Sequence, residues 1–197
     1  MTRRLIPPLL VIAALTGCVA PIGPVEVTRF HLPDVTPLGK GSILVVAAPG
    51  SDAASLEFRS YAAAVARQLV LLGYVDSQNG SAGTQVAEVR ITRETLQPQR
   101  SSSPVSVGVG GSTGSYGSGL GVGIGIDLSG PPPAQTRTDL AVTIRDRAGG
   151  QSLWEGRASF TVRADSPLAG TQLGAAKLAE ALFKGFPGTS GETIQVK

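Results

Sequence analysis

Cys18 is the only cysteine in the chain and His31 the only histidine. A lone thiol has no internal disulfide partner, so its chemistry is that of an attachment point or a nucleophile. A lone imidazole excludes a multi-histidine metal site and leaves one candidate general base. His31 lies just ahead of Pro33, close to the N-terminal segment, where a structural or exposed role is the simpler reading. Gly110-Gly111-Ser112-Thr113-Gly114 has the Gly-x-Ser-x-Gly spacing that can present a serine nucleophile, but only on a strand-turn-helix bend. No helical pattern follows Ser112, and Gly and Ser are so dense there that a chance match is expected. Asp139, Asp146 and Glu155 fall on strand faces or turns without the spacing of an acid–base pair. Trp154 reads as a core residue rather than a ligand platform. There is no dinucleotide or phosphate loop and no Cys/His cluster. The expectation is therefore a non-enzyme without metal or cofactor, and a hydrolase using Ser112 is the weaker alternative.

That leaves the position of Cys18. Arg3 and Arg4 precede an apolar run, Leu9 to Leu15, which is far shorter than the roughly 20 residues of a membrane span. Charge, short apolar core and small residues before a break make residues 1–17 a secretory signal. Leu15-Thr16-Gly17-Cys18 closes it and resembles the lipobox of bacterial lipoproteins. That resemblance implies a diacylglycerol on the Cys18 sulfur, removal of residues 1–17 and acylation of the new amino terminus. Each buried acyl methylene contributes about 0.8 kcal/mol, so two or more chains anchor stably. An Asp after the Cys commonly retains such proteins at the inner membrane. Val19 stands there, so the resemblance implies the periplasmic face of the outer membrane.

The whole chain has 197 residues with 17 Lys+Arg and 14 Asp+Glu. Removing the signal takes away Arg3 and Arg4 and leaves a balance of about +1. With no basic cluster and little aromatic interleaving, nucleic acid is not an expected partner. The remaining roughly 180 residues suffice for one core.

The elements follow from periodicity. Residues 18–24 form a proline-containing tether. Val25 to His31 alternates as a strand, and Ser42 to Ala48 is a compact β-branched run of a buried strand. Asp52 to Leu72 carries Phe58, Tyr61, Val65, Leu69 and Leu72 at helical spacing, with Ser51 or Asp52 as its cap and Gly73 ending it. Gln85 to Thr95 alternates, as do Thr138 to Asp146 and the facing run from Trp154 to Val162. Ser166-Pro167 begins a closing helix that runs to Lys184 and ends before Gly185 and Pro187. Residues 188–197 read as a flexible tail.

Residues 105–130 are the unusual segment. Val105, Val107 and Val109 alternate with small residues, and so do Leu120, Val122, Ile124, Ile126 and Leu128. The Gly/Ser stretch between Gly110 and Gly119 reads as a long hairpin loop. A strand with glycine along one face is costly in chain entropy but flat, and suits close approach by another backbone or ring. Tyr116, Gly121, Gly123 and Gly125 are thus a candidate docking surface.

The order of these pieces resembles an uncharacterised family of bacterial lipoproteins, a domain of unknown function. The pieces are the lipobox, a helix ending in Gly73-Tyr74, the glycine-rich excursion, a hairpin with Trp154-Glu155-Gly156, and a closing helix ending in Phe186-Pro187. The resemblance covers Val25 to Pro187. Relatives often place several aromatics in the first strand, where this chain has only Phe30. It implies an envelope location and an α+β fold, with no activity attached.

The expected architecture is a single α+β domain over residues 25–187, in two layers. An antiparallel sheet of about five to seven strands carries both helices on one face. Three functions fit it. The first is a non-catalytic adaptor that binds another envelope protein or cell-wall material. The second is a carrier for an apolar or lipid ligand, and the third the hydrolase using Ser112. The oligomeric state is left open by the sequence.

Overall fold

The computed structural model describes residues 23–77, 83–97, 105–114, 117–126 and 132–197, with backbone and register only for 105–126. The expected signal over residues 1–17, Cys18, residues 19–22 of the expected tether and Tyr116 lie outside the described residues.

The fold is α+β: a seven-stranded sheet, mostly antiparallel, with two helices packed on one face. The strands are β1 (Val25–His31), β2 (Ser42–Ala47), β3 (Val75–Asp76), β4 (Gln85–Leu96), β7 (Gln135–Asp146), β8 (Ser152–Arg163) and β9 (Thr193–Val196), ordered β3-β2-β4-β7-β8-β1-β9. A separate two-stranded sheet is formed by β5 (Val105–Gly114) and β6 (Gly117–Ile126). The helices are α1 (Leu56–Leu71) and α2 (Thr171–Phe183), the latter preceded by a 3-10 turn, Pro167–Ala169.

Three differences from the sequence reading have local causes. First, the sheet is mixed, because β2 runs parallel to both β3 and β4. Second, the helix caps shift. Ser55 accepts from the Phe58 amide at 3.1 Å and starts α1, while Asp52 accepts from the Ala54 amide in a preceding turn. Ser166 caps only the 3-10 turn, and Gly170 separates it from α2. Third, the supposed tail forms β9, which pairs Val25 with Val196 and Thr28 with Thr193. Val196 is buried by that pairing.

The core lies between sheet and helices. Val25, Val27, Val89, Leu140, Val142, Ile144 and Phe160 face Tyr61, Val65, Leu69, Leu178 and Leu182, with Val45 packed at the margin. Gly73 ends α1 at φ 102°, and the Tyr74 amide returns to the Leu69 carbonyl. Trp154 is a core residue, stacked on Phe183 at 5.4 Å between centroids and against Phe186 at 5.2 Å. Its indole N–H donates to the Pro187 carbonyl. A methyl on Gly156 would overlap the Trp154 ring and press on Leu182, so glycine is needed for this close approach.

Candidate functional site

The helices cover one face of the sheet and leave the other open. On that face β7 presents small residues at its centre, Ala141 and Thr143. Register sets Arg90 of β4 and Arg157 of β8 on either side of Ala141, and Glu88 and Glu155 on either side of Thr143. Long charged side chains flanking a low floor produce a depression of about 320 Å³ over the middle of β7. Arg145 pairs with Glu88 at 3.2 Å, and Arg90 donates to the Pro49 carbonyl. Arg157 and Glu155 are exposed, and among the described residues no hydrogen bond or ion pair engages their side chains. The trough thus offers hydrogen-bond donors and acceptors of both charge signs to an extended polar ligand.

His31 ends β1. Its Nδ1 lies 2.7 Å from the Leu32 carbonyl and its Nε2 lies 3.2 Å from the Gly188 carbonyl, tying β1 to the segment after α2. Ser112 sits within β5 opposite Gly119, not on a strand-to-helix turn. Asp139 accepts from Arg137, and Asp146 accepts from the Gly149 amide in a tight turn. Among the described residues no group of three metal-ligating side chains gathers.

The glycines differ most from expectation. The stretch 110–119 is not a long loop: strand pairing continues to Gly114 and Gly117. Gly121, Gly123 and Gly125 of β6 stand opposite Gly110, Gly108 and Ser106. One face of the hairpin is therefore glycine and serine on both strands. The other brings Val105 to Ile126, Val107 to Ile124 and Val109 to Val122.

Register also shows where this hairpin leaves the sheet. Across the strands, Glu26 is level with Ser159, Ser159 with Asp139, and Asp139 with Thr92. From that level β4 runs out to Leu96 and β7 starts at Gln135, its partner. The first residues of β1 and both roots of the excursion thus share one end of the sheet. Helix α1 begins there too, with Glu57 paired to Arg93 at 3.1 Å.

Arg29 escaped the sequence reading. It lies on the inward face of β1, buried, and donates to the carbonyls of Leu182 at 3.0 Å, Ala181 at 3.2 Å and Lys184 at 2.7 Å. A cation there satisfies carbonyls that the last turn of α2 cannot pair and complements the negative end of its dipole. Burial pulls its pKa below the usual guanidinium value, partly offset by nearby Glu192. The hydroxyls of Tyr61 and Tyr74 are pushed up by burial.

The architecture defines an α+β sandwich of one sheet and two helices. Among solved structures it is similar to a PDZ domain protein from Parabacteroides distasonis, at TM-score 0.50 and 8% identity over 88% of this chain. This chain spans 39% of that protein's length, and the likeness is one of fold. Two PelC dodecamer structures from Paraburkholderia phytofirmans also match over 79% of this chain and 91% of theirs. Their identities are 12% and 13%, with TM-scores of 0.42 and 0.41. No protein-family model matches the sequence, and no curated protein does.

Proposed function

We propose that the chain is a lipid-anchored lipoprotein on the periplasmic face of the bacterial outer membrane. Its folded part is a non-catalytic adaptor for another envelope protein or cell-wall material. The observation that carries the anchoring is the unique Cys18 at the end of Leu15-Thr16-Gly17-Cys18, behind a charged and apolar leader. What supports the adaptor is the open trough over Ala141 and Thr143, where Glu155 and Arg157 are exposed for a polar ligand. His31 and Ser112 are held in structural settings, the one between two carbonyls and the other mid-strand. The carrier reading needs an apolar cavity between helices and sheet. That layer is filled by Trp154, Phe160, Leu178, Leu182 and their neighbours, which favours the adaptor.

Metabolic labelling with a palmitate analogue should tag the unaltered protein and leave Cys18→Ser untagged. Equal tagging of both would overturn the anchoring. Ser112→Ala and His31→Ala should each complement a deletion strain fully. Loss of complementation by stably folded Ser112→Ala would favour the hydrolase over the adaptor.

A further inference from the structure

We infer that the β5–β6 hairpin is a membrane-surface element, its aliphatic face seated in the interface of the phospholipid layer that anchors Cys18. The inference rests on the anchoring proposed above. Its geometry comes from where the chain leaves the sheet. The step from Cys18 to Val25 spans at most about 25 Å when fully extended. The end of the sheet where β1 begins is therefore the end held near the bilayer. Both roots of the excursion, Leu96 and Gln135, lie at that end. The strands of the hairpin have ten residues each, about 33 Å of reach. Other apolar groups at the same end face solvent: Leu56 and Leu173, at the starts of the two helices, are 74% and 56% exposed, and Leu96 is 41% exposed.

The hairpin's own pattern selects lipid over a protein groove. From Ser101 to Ile126 the sequence contains no charged residue. Register gathers its Val, Ile and Leu residues on one face and leaves Gly and Ser on the other. A two-stranded ribbon cannot cross hydrocarbon, because its outer edges would lose their hydrogen-bond partners. Lying in the interface it meets no such penalty. The apolar face enters the headgroup and acyl boundary to about 5–10 Å, as interfacial elements do, while the strand edges stay hydrated. The glycine face then points away from the bilayer and remains flat and open.

The test exploits the single cysteine. In the acylated protein the Cys18 sulfur is blocked, so Val122→Cys carries the only free thiol. It is labelled with a nitrobenzoxadiazole dye and reconstituted in phosphatidylethanolamine–phosphatidylglycerol vesicles containing spin-labelled acyl chains. Leu71→Cys, exposed at the other end of α1, is the reference. The dye at Val122 should be quenched about threefold more than the dye at Leu71, as expected for a group at interfacial depth. Equal quenching would overturn the inference. Uptake of dye by the unsubstituted protein would instead overturn the acylation of Cys18 alone. In that event the Cys18→Ser, Val122→Cys chain, added to the same vesicles, decides the hairpin. Blue-shifted, quenched emission upholds its lipid contact, and unchanged emission refutes it.

Discussion

Two antiparallel hairpins in this molecule share the same alternation and use it differently. In β7–β8, Leu140, Val142, Ile144, Ala158 and Phe160 form one face, and α1 and α2 cover it. In β5–β6 an aliphatic face of similar size belongs to a two-stranded sheet of its own. The reverse faces differ as much. That of β7–β8 sets Arg, Glu, Asp and Thr side chains around Ala141 and offers them, hydrated, to a polar ligand. That of β5–β6 is glycine and serine, which offer backbone. Period-two patterning thus specifies a strand but not what covers it. The residues on the opposite face tell whether that face offers charged side chains or bare backbone.

The comparison breaks most sharply at Phe160. If β7–β8 is the covered hairpin, Phe160→Ala should cost about 3–5 kcal/mol in urea denaturation, and a loss below about 1 kcal/mol would show that its face is not core. Gly156 measures how tightly that cover fits. A methyl there must displace the Trp154 ring, so Gly156→Ala should cost about 1–3 kcal/mol by overpacking. A neutral outcome would mean the ring shifts freely. Arg29 measures how the cover is held. Arg29→Met leaves the carbonyls of Ala181, Leu182 and Lys184 without their donor and should cost about 2 kcal/mol. Amide exchange in the last turn of α2 should accelerate in step, and unaltered exchange would assign the loss elsewhere. The smallest stability effect belongs to the other hairpin. Gly123→Lys should change the denaturation midpoint by no more than about 0.5 kcal/mol equivalent, yet lower the yield of a protein partner in pull-downs by obstructing the flat face. Unchanged yield would remove Gly121, Gly123 and Gly125 from the binding surfaces.

Much of this fold was legible because alternation and helical stripes survive without context. The bounds of β1 follow directly from its alternation, and Gly73 and Tyr74 end α1 as their residue types require. Parallel pairing of β2 had a trace in its unbroken Ile43-Leu44-Val45-Val46 run, since strands flanked in parallel need not alternate. Two-residue β3 has no trace, as nothing in Val75-Asp76 distinguishes a strand from a turn exit. Thr193-Ile194-Gln195-Val196 does alternate, but a four-residue run after Gly188 and Gly191 carries little weight until a partner edge is known. Arg29 was readable only through register: a charge on the same face as Val25 and Val27 must find buried partners, and those lie over 150 residues away. The trough was illegible for a similar reason, because it is made by β4, β7 and β8 side by side.

The placement of β1 bears on how the protein is made. Among the described strands it comes first in the chain, yet both of its neighbours, Ser152–Arg163 and Thr193–Val196, lie far downstream of it. Until they pair with it, its backbone donors and acceptors have no edge to join, and loop closure over most of the chain must precede the reward. A chain interrupted before Thr193 would retain an open edge along Val25 to Thr28, of the kind that invites aggregation or proteolysis. The exposed edge of β1 is thus closed only by residues 193–196, at the far end of the described chain.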